Sequence, residues 1–256
     1  MQGVTDIYLS DLPHFSGPGF HIVNGDCMEA MEELIGYGVE VDAVITDPPY
    51  GINVDKNNPY SFASAGEKKE NPVDWDSDLP IEWLEPSFRI MRPGAQFVSF
   101  CDSRAISDLW RAVGKHGQPQ RMFYWCKSTV MPQPHPRYAS CVETAVIAKK
   151  AGEKPFFSAG GAAINYWIGP RAMGNDRTDH PTQKNLDLMR KLVRDLVPEG
   201  GLVLDPFGGS GTTAVAALLE GRRSITIERD PEYFEIAKRR VSKWYNSDKM
   251  RQMDLI

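Results

Sequence analysis

No apolar run in this 256-residue chain approaches the roughly 20 residues that a membrane helix needs, which argues against a spanning segment. The opening MQGVTDIYLSDLPHF lacks a basic stretch followed by an apolar core, so no signal peptide is expected. Cysteine is scarce. Cys27, Cys101, Cys126 and Cys141 lie far apart and form no CxxC pair. That spacing disfavours a zinc knuckle, any other metal site and a disulfide scaffold, and fits a reduced, cytoplasmic protein. A whole-chain basic charge is missing too: 29 Lys and Arg stand against 34 Asp and Glu, a net −5. No internal repeat or low-complexity tract is present.

What remains is an ordinary globular balance, 41% hydrophobic and 25% charged, sufficient for one or two domains with a sizeable core. The charge is unevenly placed. From Lys115 to Arg194 there are 13 Lys or Arg against 5 Asp or Glu, a local +8, so the remainder carries −13. A basic middle of this kind suits a polyanion, although a solvated loop region produces the same count.

Residues 1–19 hold Pro13, Gly17, Pro18 and Gly19 with little periodicity and read as an irregular arm. Seven short apolar runs read as strands, at 20–23, 41–46, 95–100, 121–127, 141–149, 202–204 and 224–228. Helical spacing occupies 27–35, 81–91, 105–114, 186–197, 212–220 and 231–244 between them. Such alternation predicts an α/β fold, a doubly wound and mostly parallel sheet with helices on both faces and ligands at the carboxyl ends of the strands. The polar segment 51–80 is too long for an ordinary connection and reads as a functional lid or a disordered stretch. Residues 150–180 carry five glycines and several aromatics without a clear period.

Two strands end in unusual chemistry. The 202–204 run delivers Asp205-Pro206-Phe207-Gly208-Gly209-Ser210-Gly211, whose glycines let the backbone turn sharply and approach a ligand. Thr212 then opens a helix whose N-terminal amides suit polar ligand groups. The pattern is not GxxxxGK[ST], so a triphosphate site is disfavoured. Glu228 closes the next strand, where an acid commonly takes ribose hydroxyls. The 41–46 run stops at Asp47-Pro48-Pro49-Tyr50. Two prolines stiffen the backbone, so the Asp47 side chain and the Pro48 carbonyl become fixed acceptors suited to an NH₂ group, and a flat ring can stack on Tyr50. Each motif also has a plainer reading, a capped proline turn or a glycine turn with a solvent-facing acid. The two strand ends are expected to be neighbours in space.

Asp47-Pro48-Pro49-Tyr50 resembles the catalytic motif of amino-group DNA methyltransferases. Asp205 to Gly211 resembles their S-adenosylmethionine loop, and His180-Pro181-Thr182-Gln183-Lys184 resembles the motif that precedes that loop in one subgroup. The order, catalytic motif first and cofactor loop last, is that of the circularly permuted β-group of N4/N6 DNA methylases. The resemblance covers about residues 20–245. It implies a seven-stranded Rossmann-like methyltransferase sheet. It also implies an arm at 1–19, a catalytic half at 20–149, a short target-recognition region at 150–179 and a cofactor-binding half at 180–256.

By the same resemblance, Asp47, Pro48, Pro49 and Tyr50 form the methyl-acceptor pocket. Asp205, Phe207, Gly208, Gly209 and Gly211 line the methionine end of S-adenosylmethionine, and Glu228 takes its ribose. Asp26 meets its adenine, while Thr182 and Lys184 approach its amino-acid moiety. Asn185 departs from the proline usual in the family, which changes the helix start and leaves the chemistry untouched. The partner is double-stranded DNA, with Lys127, Arg137, Lys149, Lys150, Arg171 and Arg177 as candidates for phosphate or base contact. A homodimer and a cognate restriction endonuclease are compatible with the family, and a bacterial or phage-infected cell is the expected setting.

The implied reaction is methylation of an exocyclic base amine after the base leaves the duplex stack. Aspartate at position 47 favours N6 of adenine, since the N4-cytosine enzymes commonly carry serine there. The cytosine enzyme stays open as the alternative. RNA or protein-amide methylation is disfavoured by Asp47 and by the motif order, and a non-catalytic binding module by the intact acids.

Overall fold

The computed structural model of the chain describes residues 12–49, 81–129, 138–160 and 163–247. Tyr50, Arg137 and the 51–80 segment therefore lie outside the described residues. The elements run β1 (His14–Gly17), β2 (Phe20–Asn24), α1 (Cys27–Gly36), β3 (Val41–Thr46), α2 (Leu84–Ile90) and β4 (Met91–Cys101). They continue with α3 (Ile106–Val113), β5 (Gln118–Lys127), β6 (Val142–Lys149), β7 (Tyr166–Gly169) and α4 (Leu186–Leu196). The last four are β8 (Leu202–Asp205), α5 (Thr212–Leu219), β9 (Arg223–Glu228) and α6 (Pro231–Tyr245).

The nine strands among the described residues join one sheet in the order β1-β2-β9-β8-β3-β4-β6-β5-β7. The pairings β2–β9, β9–β8, β8–β3, β3–β4 and β5–β7 are parallel, whereas β1–β2, β4–β6 and β6–β5 are antiparallel. Seven strands thus share one direction, and β1 and β6 oppose it. Helices cover both faces, so the central strands are buried on both sides and read as continuous apolar runs. In β3, Val44 packs with α1, α2 and α3 while Ala43 and Ile45 pack with α4 and α5, and an irregularity between Val41 and Ala43 turns Val41 to the face of Val44. The second face continues to α6, whose Phe234, Ala237 and Val241 close over Phe20 and Ile22.

The sheet has two strands more than expected. β1 falls in the predicted irregular arm, where four residues pair back onto β2 through a turn in which Gly19 takes φ +83°. β7 falls in the predicted recognition region and adds four residues to the open edge beside β5. Four-residue edge strands are too short to print a period in the sequence.

The reversal of β6 has a larger consequence. Thr144 faces Cys101 at the carboxyl end of β4, and Lys149 faces Gln96 five residues down, on the order of 16 Å away. Lys149 and Lys150 therefore sit at the amino edge of the sheet, opposite the strand ends that carry the motifs. There the Lys150 ammonium donates to the carbonyls of Arg89 (3.0 Å) and Met91 (2.5 Å), and Lys149 to that of Glu153 (3.2 Å). Their expected place beside the duplex does not fit this geometry. The alternation of strands and helices concealed that one strand runs backwards. Among the described residues no helix is long and apolar enough to cross a membrane.

Candidate functional site

β3 and β8 are adjacent, so the two motif-bearing ends meet as expected. Thr46 Oγ1 donates to Asp205 Oδ1 at 2.7 Å, linking residues 159 positions apart. Asp205 is enclosed, with only 4% of its surface exposed. Its Oδ1 also accepts from the Phe207 amide (3.1 Å), and its Oδ2 accepts from Thr213 Oγ1 (2.6 Å). Burial pushes the carboxyl up to about 6 against these three donors. The expected acceptor for a cofactor amine is thus turned into the protein, where it ties β3, the glycine loop and α5 together.

The loop itself leaves no room for side chains. A Cβ on Gly208 would stand 2.2 Å from Thr226 Cγ2. Gly209 (φ +50°) and Gly211 (φ +72°) adopt left-handed backbone that L side chains avoid. Glu228, ending β9, braces the loop. Its Oε2 accepts from the Gly209 amide and its Oε1 from the Asp230 amide, each at 2.7 Å. Burial raises its carboxyl to about 7. Asp26 follows β2, the strand next to β9, and caps α1 by accepting from the Met28 amide at 2.8 Å. Phe207 stands edge-on to Trp83 with ring centroids 5.2 Å apart.

A close-approach backbone, two acids at neighbouring strand ends and an aromatic wall form an acceptor set matched to a ligand with hydroxyls and an amine. S-adenosylmethionine carries both, and the residues fit it. Asp26, Glu228, Phe207 and the loop glycines would hold it.

His180 to Lys184 lie against this loop. The His180 Nε2 is the atom that a Cβ on Gly209 would meet, at 3.0 Å, and its ring packs on Tyr233 at 4.3 Å. Burial and the cations Arg177, Lys184 and Arg240 push His180 down to about 3, so it is neutral. Gln183 folds back on its own turn, accepting from the Thr178 amide (2.7 Å) and hydroxyl (2.8 Å). Asn185 takes over the helix start that a proline would otherwise set. Its Oδ1 accepts from the amides of Asp187 (2.8 Å) and Leu188 (3.1 Å), and its Nδ2 donates to the Pro170 carbonyl (3.1 Å).

Lys184 goes elsewhere than expected. Its ammonium, 7% exposed, forms ion pairs with Asp47 Oδ2 and with Glu143 Oε2, the latter at 2.9 Å. Burial disfavours the charge, but Asp47 and Glu143 outweigh it and raise the lysine above its ordinary value. Lys127, a duplex candidate, is likewise turned inward: 8% exposed, 2.5 Å from Glu143 Oε1 and above the Trp125 ring. Glu143 is held well below the carboxylate range by these two ammoniums despite its burial. The motifs never singled it out, because a lone acid on a strand has no spacing to mark it.

Arg177 spends its guanidinium on the carbonyls of Thr178 (2.6 Å), His180 and Pro181 (3.4 Å). Arg171, two residues beyond β7, has a buried Nε without a hydrogen-bond partner among the described residues. Of the basic candidates, Lys127, Arg171 and Arg177 lie toward the carboxyl edge, and Lys149 and Lys150 do not.

Known proteins resemble this chain in sequence and fold. The family model described as DNA methylase, covering N6 and N4 enzymes, matches residues 41–239. The "Putative methylase YubD" of Escherichia coli (strain K12) is 28% identical, over 86% of this chain and 89% of its own. The Type II methyltransferase M2.LlaDCHI of Lactococcus lactis subsp. cremoris is 24% identical, over 92% and 94%. Among solved structures, the M1.HpyAVI–SAM complex superposes with a TM-score of 0.71 at 30% identity, covering 87% of this chain and 98% of that one. The cytosine-N4-specific PvuII DNA methyltransferase shares the fold, with a TM-score of 0.69 at 19% identity over 96% and 94%. A match of this extent, on strand ends already arranged for an S-adenosylmethionine cofactor, places the chain in the N6/N4 family of DNA methylases.

Proposed function

We propose that this DNA methyltransferase modifies the N6 amino group of adenine in duplex DNA, the base being turned out of the stack to reach Asp47. The observation that carries the reading is the carboxylate at the end of β3, anchored by Lys184 one strand away from the cofactor loop. Exocyclic amines are poor nucleophiles because their lone pair is delocalised into the ring. A carboxylate and the Pro48 carbonyl, both accepting from the NH₂, draw the nitrogen toward tetrahedral geometry and orient its lone pair. S-adenosylmethionine supplies the electrophilic sulfonium methyl. Asp47 and Pro48 supply position, and preorganised acceptors of this kind account for most of the rate. Tyr50 is the proposed stacking platform, and Arg171 and Arg177 the proposed duplex contacts.

Glu228 is the proposed ribose ligand, and Glu228→Ala should weaken cofactor binding by about 1–3 kcal/mol in calorimetry. A companion restriction endonuclease belongs to the same proposal, supported by relatives named as Type II methyltransferases. Pairing of two copies is part of it as well. Nucleoside digestion and mass spectrometry of DNA methylated by the purified chain tests the base. N6-methyladenine is expected. N4-methylcytosine as the main product would replace the adenine reading while keeping the chemistry.

A further inference from the structure

Four charges alternate along the carboxyl edge of the sheet. Asp47 follows β3, Lys184 precedes α4, Glu143 lies on β6 and Lys127 ends β5. Each touches the next: Asp47 with Lys184, Lys184 with Glu143 at 2.9 Å, and Glu143 with Lys127 at 2.5 Å. Two carboxylates and two ammoniums make the set neutral, which is why it tolerates an interior where either lysine is almost fully covered. The Lys184 ammonium is paired with two acids at once, so its charge is shared between them.

We infer that Glu143 is a positioning residue for methyl transfer: by sharing the Lys184 ammonium, it sets how tightly that ammonium holds the Asp47 carboxylate, and so how the carboxylate meets the target amine. The inference rests on the reading of Asp47 as the amine acceptor. Without the Glu143 charge, the whole ammonium falls to Asp47 and Lys127 loses its counter-ion. The cluster becomes a net cation, and the acceptor lone pairs of Asp47 are drawn toward lysine rather than the base. Without the Lys127 charge, Glu143 pulls Lys184 the other way and the cluster becomes a net anion. The two changes are opposite in sign. A merely structural role for the cluster predicts loss of the same kind in both. The other groups facing it are Asp205 from β8, Cys101 and Asp102 at the end of β4, Arg171 beyond β7 and His180 ahead of α4. They are common to both variants and drop out of the comparison.

The experiment measures methyl transfer to duplex DNA by the full chain at saturating cofactor, from about pH 5 to 9. Melting curves and cofactor calorimetry accompany each variant. Glu143→Gln should lower kcat roughly ten- to a hundredfold, with the cofactor affinity within about threefold of wild type. Its acid limb should move to lower pH, since a net cation favours the ionised acceptor. Lys127→Gln should move that limb to higher pH. Glu143→Asp, which keeps the charge, should recover most of the rate. Limbs that move together or stay in place would overturn the inference, as would a loss of kcat that only tracks lost cofactor affinity. Should Glu143→Gln fail to fold, the limb of Lys127→Gln decides alone, and an unmoved limb rejects the role. Wild-type protein that methylates no amine would instead reject the function of Asp47, and Glu143 with it.

Discussion

Asp47 and Asp205 end neighbouring parallel strands, and each is followed by proline. Their surroundings separate them. Asp205 is 4% exposed and takes three hydrogen bonds from Thr46, Phe207 and Thr213. The Asp47 side chain is 21% exposed and is held from one side by a lysine ammonium. The first arrangement spends a carboxylate on joining three elements. The second leaves a carboxylate partly exposed beside an ammonium. One residue type at one kind of strand end is therefore enclosed by hydrogen bonds in one case and ion-paired and partly exposed in the other, and the neighbours decide which.

Substitution at the two positions should separate the roles most widely. Asp47→Ala should reduce methyl transfer by about three or more orders of magnitude while cofactor affinity and melting temperature hold. Asp205→Ala should cost about 2–4 kcal/mol of stability, because it strands two hydroxyls and an amide in the interior, and cofactor binding should fail with the loop. Denaturant unfolding and calorimetry on both variants check this. Equal stability loss in the two would erase the distinction. A milder version is Thr213→Val, which removes one donor from Asp205 and should cost about 1–2 kcal/mol with the acceptor chemistry intact.

A second contrast concerns the two edges of the sheet. Arg171→Ala, at the carboxyl edge, should flatten the salt dependence of DNA binding by about one unit of slope. The double variant Lys149→Ala, Lys150→Ala, at the amino edge, should leave both affinity and slope as they were. Titrations at several salt concentrations decide it, and a changed slope in the double variant would bring the duplex round to the wrong edge.

The smallest expected effect lies in the pH dependence of stability. His21 on β2 is pushed down to about 4 by burial and by the stacked His14 ring 5.1 Å away. Between about pH 6.5 and 4 the unfolded chain takes up a proton that the native state refuses, so stability falls as pH falls through that window. Asp205 and Glu228, raised to about 6 and 7, run the opposite way: their contribution is present in acid and is lost as pH rises through those values. His180, pushed down to about 3, adds to His21, so two histidines oppose two acids and the net profile is nearly flat in mild acid; a variant isolates one member. His21→Leu should gain on wild type as pH drops, by about 2–3 kcal/mol at most. A gap that stays constant with pH would show that folding leaves the proton affinity of His21 unchanged.

The central strands were legible because double-sided burial leaves unbroken apolar runs such as Val41 to Thr46, and the motifs marked where those runs stop. The adjacency of the Asp47 and Asp205 ends followed from the parallel α/β pattern. The direction of β6 was not legible, since composition is the same in a strand read forwards or backwards, and it is this direction that carries Lys149 and Lys150 to the edge opposite the motifs. The partners of Lys184 and Lys127 were hidden too. Both pair with Glu143, which is brought to them only by the sheet order β4-β6-β5. Asp205 could be recognised as part of a ligand loop, but whether its carboxylate points at the ligand or into the fold depends on two threonines contributed by other segments.

The hydrogen bond from Thr46 to Asp205 makes the sheet itself into a ruler. Adjacent strands stand about 4.8 Å apart, and no loop movement changes that spacing. Methyl transfer asks that donor carbon and acceptor nitrogen approach within a narrow range. On the proposed reading of Asp47, the fixed part of that distance is built from backbone ladders, and the base is the part that moves.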